Sequence, residues 1–138
     1  MFTDQQIVDI LQAAAAQSEN PNCKVGAALF SVHGLDMKLE LTSYNHGDTH
    51  AEDVLCALYL FAHLKTFFYC TKAPCLSCAQ HIVNAGIDTL IIPPPYEINP
   101  RTLRPSKWFK EQVEALNYLM DNAVNVRFMY PIETMPGA

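Results

Sequence analysis

The chain has 138 residues, 50% of them hydrophobic and 17% charged, which suffices for one globular domain with a sizeable core. Nine basic residues against fourteen acidic ones give a net charge of -5. That balance argues against general nucleic-acid binding, where a grip on many phosphates calls for a basic excess.

Met1 to Ile10 contains Asp4 and Asp9 and no basic residue, unlike a secretory signal, and no apolar run reaches bilayer length. A soluble, cytoplasmic protein without membrane partners is expected. Five cysteines, two of them in a C-x-x-C pair, suit a reducing compartment and metal binding better than a disulfide framework. Neither repeats nor a linker divide the sequence, so residues 1–138 read as a single domain.

In chain order, Thr3 or Asp4 can cap a helix running to about Glu19, with Ile7, Val8, Leu11, Ala14 and Ala15 as its apolar stripe. Asn20-Pro21-Asn22 ends it. Cys23 to Val32 and Met37 to Tyr44 predict a β-hairpin around Gly34. A helix from His50 to Lys65 follows, apolar around nearly its whole circumference and so expected to bury more than one side, including against another subunit.

Thr66 to Cys70 is a short buried strand, Cys75 to Asn84 a helix, and Thr89 to Ile92 a further strand that Pro93-Pro94-Pro95 stops. Ser106 is expected to cap a last helix reaching Asp121, with Trp108, Phe109, Val113, Leu116 and Leu119 or Met120 facing inward. Val124 to Tyr130 closes the chain as an edge strand. Strands separated by helices give an α/β fold of about five strands, with an antiparallel hairpin first and parallel crossovers after it.

Two stretches carry chemistry: His50-Ala51-Glu52 and Pro74-Cys75-Leu76-Ser77-Cys78. One imidazole and two thiolates make a three-ligand set for Zn²⁺ that leaves a fourth tetrahedral position open, as catalytic rather than structural zinc requires. Both stretches enter helix N-termini, where the free N–H groups and the dipole favour thiolates at Cys75 and Cys78. Glu52 stands two residues past His50, too far around a helix to share its face. It suits a carboxylate that takes a proton from the metal-bound water rather than one that binds the metal. The alternatives are a structural zinc completed by Cys70 or Cys23, which has no need of the glutamate, and an ordinary first-turn carboxylate. Cys23, Cys56 and Cys70 otherwise read as small core residues, and Trp108 as a core anchor or a surface on which a base could stack.

The combination H-A-E at 50–52 with P-C-x-x-C at 74–78 resembles the zinc signature of the cytidine-deaminase superfamily. Val25-Gly26-Ala27, Tyr44-Asn45-His46-Gly47 and Tyr69-Cys70-Thr71 resemble further parts of it. Ala85-Gly86-Ile87 and the helix from Trp108 are most similar to the deoxycytidylate (dCMP) deaminases, in a short form like those of phages. Asp53, Val54 and Leu55 depart from the H-A-E-x-N-A pattern common there.

The resemblance implies a three-layer α-β-α fold with a mixed five-stranded sheet, and one catalytic Zn²⁺ per chain on His50, Cys75 and Cys78, with Glu52 catalytic. It implies Asn45 as a sugar-hydroxyl ligand and the Ala51 N–H as a donor to the pyrimidine carbonyl. The implied reaction is hydrolysis of dCMP to dUMP and ammonia, supplying thymidylate synthesis from the cytosol, or from the host cytosol for a viral protein. A homo-oligomer, a hexamer by resemblance, with dCTP and dTTP as effectors and Mg²⁺ accompanying them, belongs to the same expectation.

Arg101, Arg104, Lys107 and Lys110 are four of the nine basic residues, with no acid between 101 and 110. Lys107 and Lys110 fall near a helix start, where the dipole favours an anion, so Arg101, Arg104 and Lys107 are candidates for the substrate phosphate or an effector triphosphate. Lys24 and Lys72 are rivals, and a solvated face is the alternative for all of them. Deamination of a free nucleoside, a base or an RNA adenosine stays open, the last disfavoured by the charge. So does a zinc-stabilised binding module without chemistry, for which Glu52 would have no use.

Overall fold

A computed structural model describes residues 2–20, 23–46, 49–51, 65–98 and 102–129. Most of the helix expected between His50 and Lys65, with Glu52 and Cys56, lies outside these residues, as do Pro21, Asn22, Arg101 and Tyr130.

Helix α1 spans Asp4–Ala16. Its start is a reciprocal cap: the Thr3 hydroxyl accepts the Gln6 N–H at 3.1 Å while the Gln6 side chain accepts the Thr3 N–H at 2.8 Å. It stops short of the expected Glu19. The N–H groups of Gln17 and Ser18 turn back to Ala14 and Ala15 at 3.1 and 3.0 Å, tightening and closing the last turn.

Five strands follow the expected order: β1 Gly26–His33, β2 Asp36–Tyr44, β3 Thr66–Cys70, β4 Thr89–Ile92 and β5 Asn125–Phe128. They form one mixed sheet ordered β2-β1-β3-β4-β5. β1 runs antiparallel to both β2 and β3, and β3, β4 and β5 are mutually parallel. The start of β1 is Gly26 rather than Cys23, because the Val25 backbone is occupied by Asn45, as described below.

Alternation along the strands sends side chains to opposite faces. Ala28 and Phe30 pack with Ile7 and Leu11 of α1 on one face. On the other, Ala27, Leu29, Phe68, Cys70, Leu90 and Ile92 meet helix α2, Leu76–Asn84, and helix α3, Phe109–Asp121. The result is the three-layer α-β-α fold. Burying Phe30, Leu11, Leu29, Ile82 and Leu119 completely stabilises it by about 1.5–3 kcal/mol per side chain. Gly26 permits the tight seam with α1. A Cβ there would press on the Leu11 carbonyl oxygen and lie 2.7 Å from the Ala15 nitrogen, both immovable backbone.

Two expectations about α3 are corrected. Ser106 does not cap it; Trp108 holds that position, and the Ser106 carbonyl accepts the Phe109 N–H at 3.3 Å in the preceding turn. Nor is Trp108 a core anchor, being 47% exposed. The buried face of α3 is Gln112, Ala115, Leu116 and Leu119. That stripe begins a full turn after Trp108, which the turn leaves at the protein surface. Met120, at 54% exposure, lies off the stripe as well, so Leu119 is the inward residue of the pair. Among the described residues no helix is long and apolar enough to cross a membrane.

Candidate metal centre and its cavity

The crossover from β3 to α2 delivers both cysteines. The Thr71 N–H donates to the Gly26 carbonyl at 3.0 Å, and the Thr71 hydroxyl accepts the Gly26 N–H at 3.1 Å. This exchange prolongs the β1–β3 pairing by one residue and fixes the exit of the Lys72-Ala73-Pro74 segment. Cys75 is then the N-cap of α2, and Cys78 lies in its first turn.

His50 arrives from the other side of β1. The Ser43 hydroxyl of β2, itself buried, donates to the Ala51 carbonyl at 2.6 Å and ties the histidine segment to the sheet. His50 Nδ1 consequently lies 3.1 Å from Cys78 Sγ and 3.6 Å from Cys75 Sγ, with the two sulfurs 3.4 Å apart.

These distances fit a single small ion. A tetrahedral zinc with Zn–S of about 2.3 Å and Zn–N of about 2.0–2.1 Å needs S···S edges of about 3.8 Å and S···N edges of about 3.5 Å. The observed edges differ by a few tenths of an ångström. The donor chemistry agrees. Hydrogen bonding from Cys78 lowers the Cys75 thiol from 9.0 to about 5 against the opposing effect of burial, with attraction to His50 adding to it. Cys75 is thus poised as a thiolate ligand at neutral pH. Exposure is graded across the set: Cys78 is buried, Cys75 half-buried and His50 exposed. The ligands therefore face solvent on one side only, as an open coordination position requires.

His50 and Cys75 line a cavity of about 400 Å³, within the range of small-molecule sites. Asn45 and Ala51 line it too. Asn45 does more than the sequence suggested. Its Oδ1 accepts the Val25 N–H at 3.0 Å, its Nδ2 donates to the Cys23 carbonyl at 2.8 Å, and its backbone N–H donates to Val25 O at 3.2 Å. A carboxamide offers two N–H groups and two lone pairs, so one of each remains for a ligand.

The basic candidates separate. The Lys24 ammonium donates to the Ser18 carbonyl. Arg104 is exposed on the loop before α3 and is not among the cavity residues. Lys107, also exposed, lays its ammonium 5.0 Å from the centre of the Trp108 ring. Lys72 lines the cavity, with its ammonium 5.9 Å from the same ring and 4.0 Å from Cys23 Sγ. Gln112 also lines the cavity and was absent from the sequence reading. Its signal was available: it sits four residues from both Trp108 and Leu116, a polar residue within an apolar stripe.

Residues 1–93 match the family described as the cytidine and deoxycytidylate deaminase zinc-binding region. The chain belongs to this family. No curated protein matches the chain. Solved structures of similar fold include the dCMP deaminase of cyanophage S-TIM5 in apo form, with 17% identity and a TM-score of 0.55 over 92% of this chain and 100% of that one. Acinetobacter baumannii RibD gives 21% identity and 0.59 over 93% of this chain and 34% of that one. A guanine deaminase from Nitrosomonas europaea gives 13% and 0.59 over 93% and 78%. At such identities the likeness concerns the fold. For this cytidine and deoxycytidylate deaminase family member, the candidate zinc site is the cluster of His50, Cys75 and Cys78, whose donor atoms converge within 4.8 Å.

Proposed function

We propose that this deaminase converts dCMP to dUMP and ammonia with the consumption of one water. The observation that carries the reading is the opening of the His50-Cys75-Cys78 cluster into a cavity also lined by Asn45 and Ala51. The fold likeness to the cyanophage S-TIM5 enzyme, solved also with dCMP and dUMP at a TM-score of 0.52, supports the choice of substrate.

Zinc held by these three side chains would supply Lewis acidity and an activated water as the nucleophile. Glu52, next but one to the His50 ligand, would take one proton from the attacking water and pass it to the pyrimidine ring nitrogen, then move the remaining hydroxyl proton to the amino group, which leaves as ammonia as the carbonyl forms. Ala51 orients the ring through its N–H to the pyrimidine carbonyl, and Asn45 uses its remaining hydrogen-bonding capacity on the sugar. Product dUMP would feed thymidylate synthesis. A homo-oligomer responsive to dCTP and dTTP is part of the same proposal.

Ammonia release from dCMP, CMP, cytidine, deoxycytidine and dCTP by the zinc-loaded protein tests the reading. We expect dCMP to have the highest kcat/KM. Absence of ammonia from every substrate, or preference for a free nucleoside, would overturn it.

A further inference from the structure

Besides His50 and Cys75, the cavity is lined by Lys72 and by Trp108, Glu111 and Gln112 at the start of α3, and two of these polar groups stand out. Gln112 is 9% exposed, yet its carboxamide has no hydrogen-bond partner among the described residues, while no buried side-chain nitrogen or oxygen among them is sealed off without one. The Gln112 amide therefore meets its needs at the cavity surface, which it lines.

Lys72 is the second group. Buried Ala73 and the Thr71–Gly26 exchange hold its backbone, and its ammonium lies 4.0 Å from the Cys23 sulfur and 5.9 Å from the centre of the Trp108 ring. It makes no ion pair among the described residues. Lys107 approaches the same ring, and the α3 N-terminus adds a partial positive charge. One carboxylate, Glu111, shares the wall. Among the described lining residues Lys72 is the one ammonium and Glu111 the one carboxylate, so an anion would be held by the Lys72 ammonium itself rather than by a net positive wall.

Resting on the function proposed above, we infer that Lys72 and Gln112, backed by Trp108, form the phosphate end of the substrate pocket and select a pyrimidine nucleoside monophosphate over the free nucleoside. Lys72 donates to a phosphate oxygen as a point charge, and the Gln112 amide donates from the helix face to another. Trp108 flanks the ammonium with the face of its ring at 5.9 Å.

Kinetics with dCMP and deoxycytidine, paired with calorimetric binding of dUMP and deoxyuridine, test this on zinc-loaded wild type, Lys72→Met, Lys72→Arg and the isosteric Gln112→Glu. For Lys72→Met, kcat/KM should fall at least about tenfold more for dCMP than for deoxycytidine, mostly through KM, as expected for loss of one charge-assisted hydrogen bond. Lys72→Arg should restore most of the preference. Gln112→Glu preserves shape, faces the phosphate with a negative charge, and should weaken dUMP more than deoxyuridine.

Equal losses on nucleotide and nucleoside, or no loss, would overturn the inference even if dCMP is the substrate. Conversely, a wild type that fails to deaminate dCMP but binds dUMP over deoxyuridine in a Lys72-dependent way would overturn the function and uphold the phosphate end.

Discussion

Three donor atoms at the metal centre lie within 4.8 Å of one another, whereas an ammonium, an indole and an amide that line the adjoining cavity are spread along a loop and a helix turn. The metal side is tightly determined. Cys75 and Cys78 are a helix cap and its first turn, and His50 is tied to the sheet through Ala51 and Ser43. The α3 side is loosely determined, since Lys72 reaches its position through a flexible stem and Trp108 stands half in solvent. Chemistry that tolerates little displacement sits on the rigid side. Selection among substrates falls to the side that can vary without disturbing it.

Removing a ligand should break the rigid side outright. Cys75→Ser is expected to lose zinc by elemental analysis and all deamination, on nucleotide and nucleoside alike; full zinc content would refute the ligand assignment. The same thiol sets a pH dependence. With Cys75 titrating near 5, its thiolate is present above that value and protonated below it. Zinc uptake by metal-free protein should therefore gain no pH slope from Cys75 at neutral pH. Below pH 5 this thiol should contribute about a tenfold loss of apparent affinity per pH unit. Isothermal titration between pH 4.5 and 7.5 would measure it, and a slope already present near pH 7 from this residue would count against the lowered value.

Glu52→Ala comes next in size and separates binding from chemistry within the same side. Zinc and fold should be retained while kcat falls by about 10²–10⁴, the usual contribution of a positioned acid-base group. Both dCMP and deoxycytidine should suffer equally. A substrate-dependent loss would move Glu52 from proton transfer to recognition.

The metal side was legible in the sequence for a physical reason. Cys75 and Cys78, three residues apart at a helix start, are local, so their spacing alone fixes much of their mutual geometry, while His50 is marked by its chemistry together with Glu52. The sheet was legible too, because alternation in β1 and the apolar runs of β3 and β4 encode burial directly. What the sequence left obscure depends on contacts between distant segments. Ser43 gains its role only when Ala51 packs against β2, and Lys72 enters the cavity only because Thr71 pairs with Gly26. Trp108 looked like core because it extends the apolar spacing of Val113, Leu116 and Leu119 back to the helix start expected at Ser106. The turn from Ser106 to Trp108 rotates it out of the stripe that Gln112 joins.

The smallest expected effect concerns the seam on which both sides hang. Gly26 exchanges two hydrogen bonds with Thr71, just before Lys72, and its missing Cβ lets α1 lie against β1. Gly26→Ala would push the added carbon into the backbone of Leu11 and Ala15, so α1 must move outward or β1 must bend. Overpacking of this kind costs about 1–3 kcal/mol, measurable as a lowered midpoint in urea with an unchanged slope. Because α1 packs on the face of the sheet away from α2 and α3, the displacement should leave the cluster and the α3 wall in register with each other. The ratio of kcat/KM for dCMP to that for deoxycytidine should then stay constant while stability falls. A changed ratio would mean that the seam transmits α1 packing to Lys72, and that the two sides are coupled through β1.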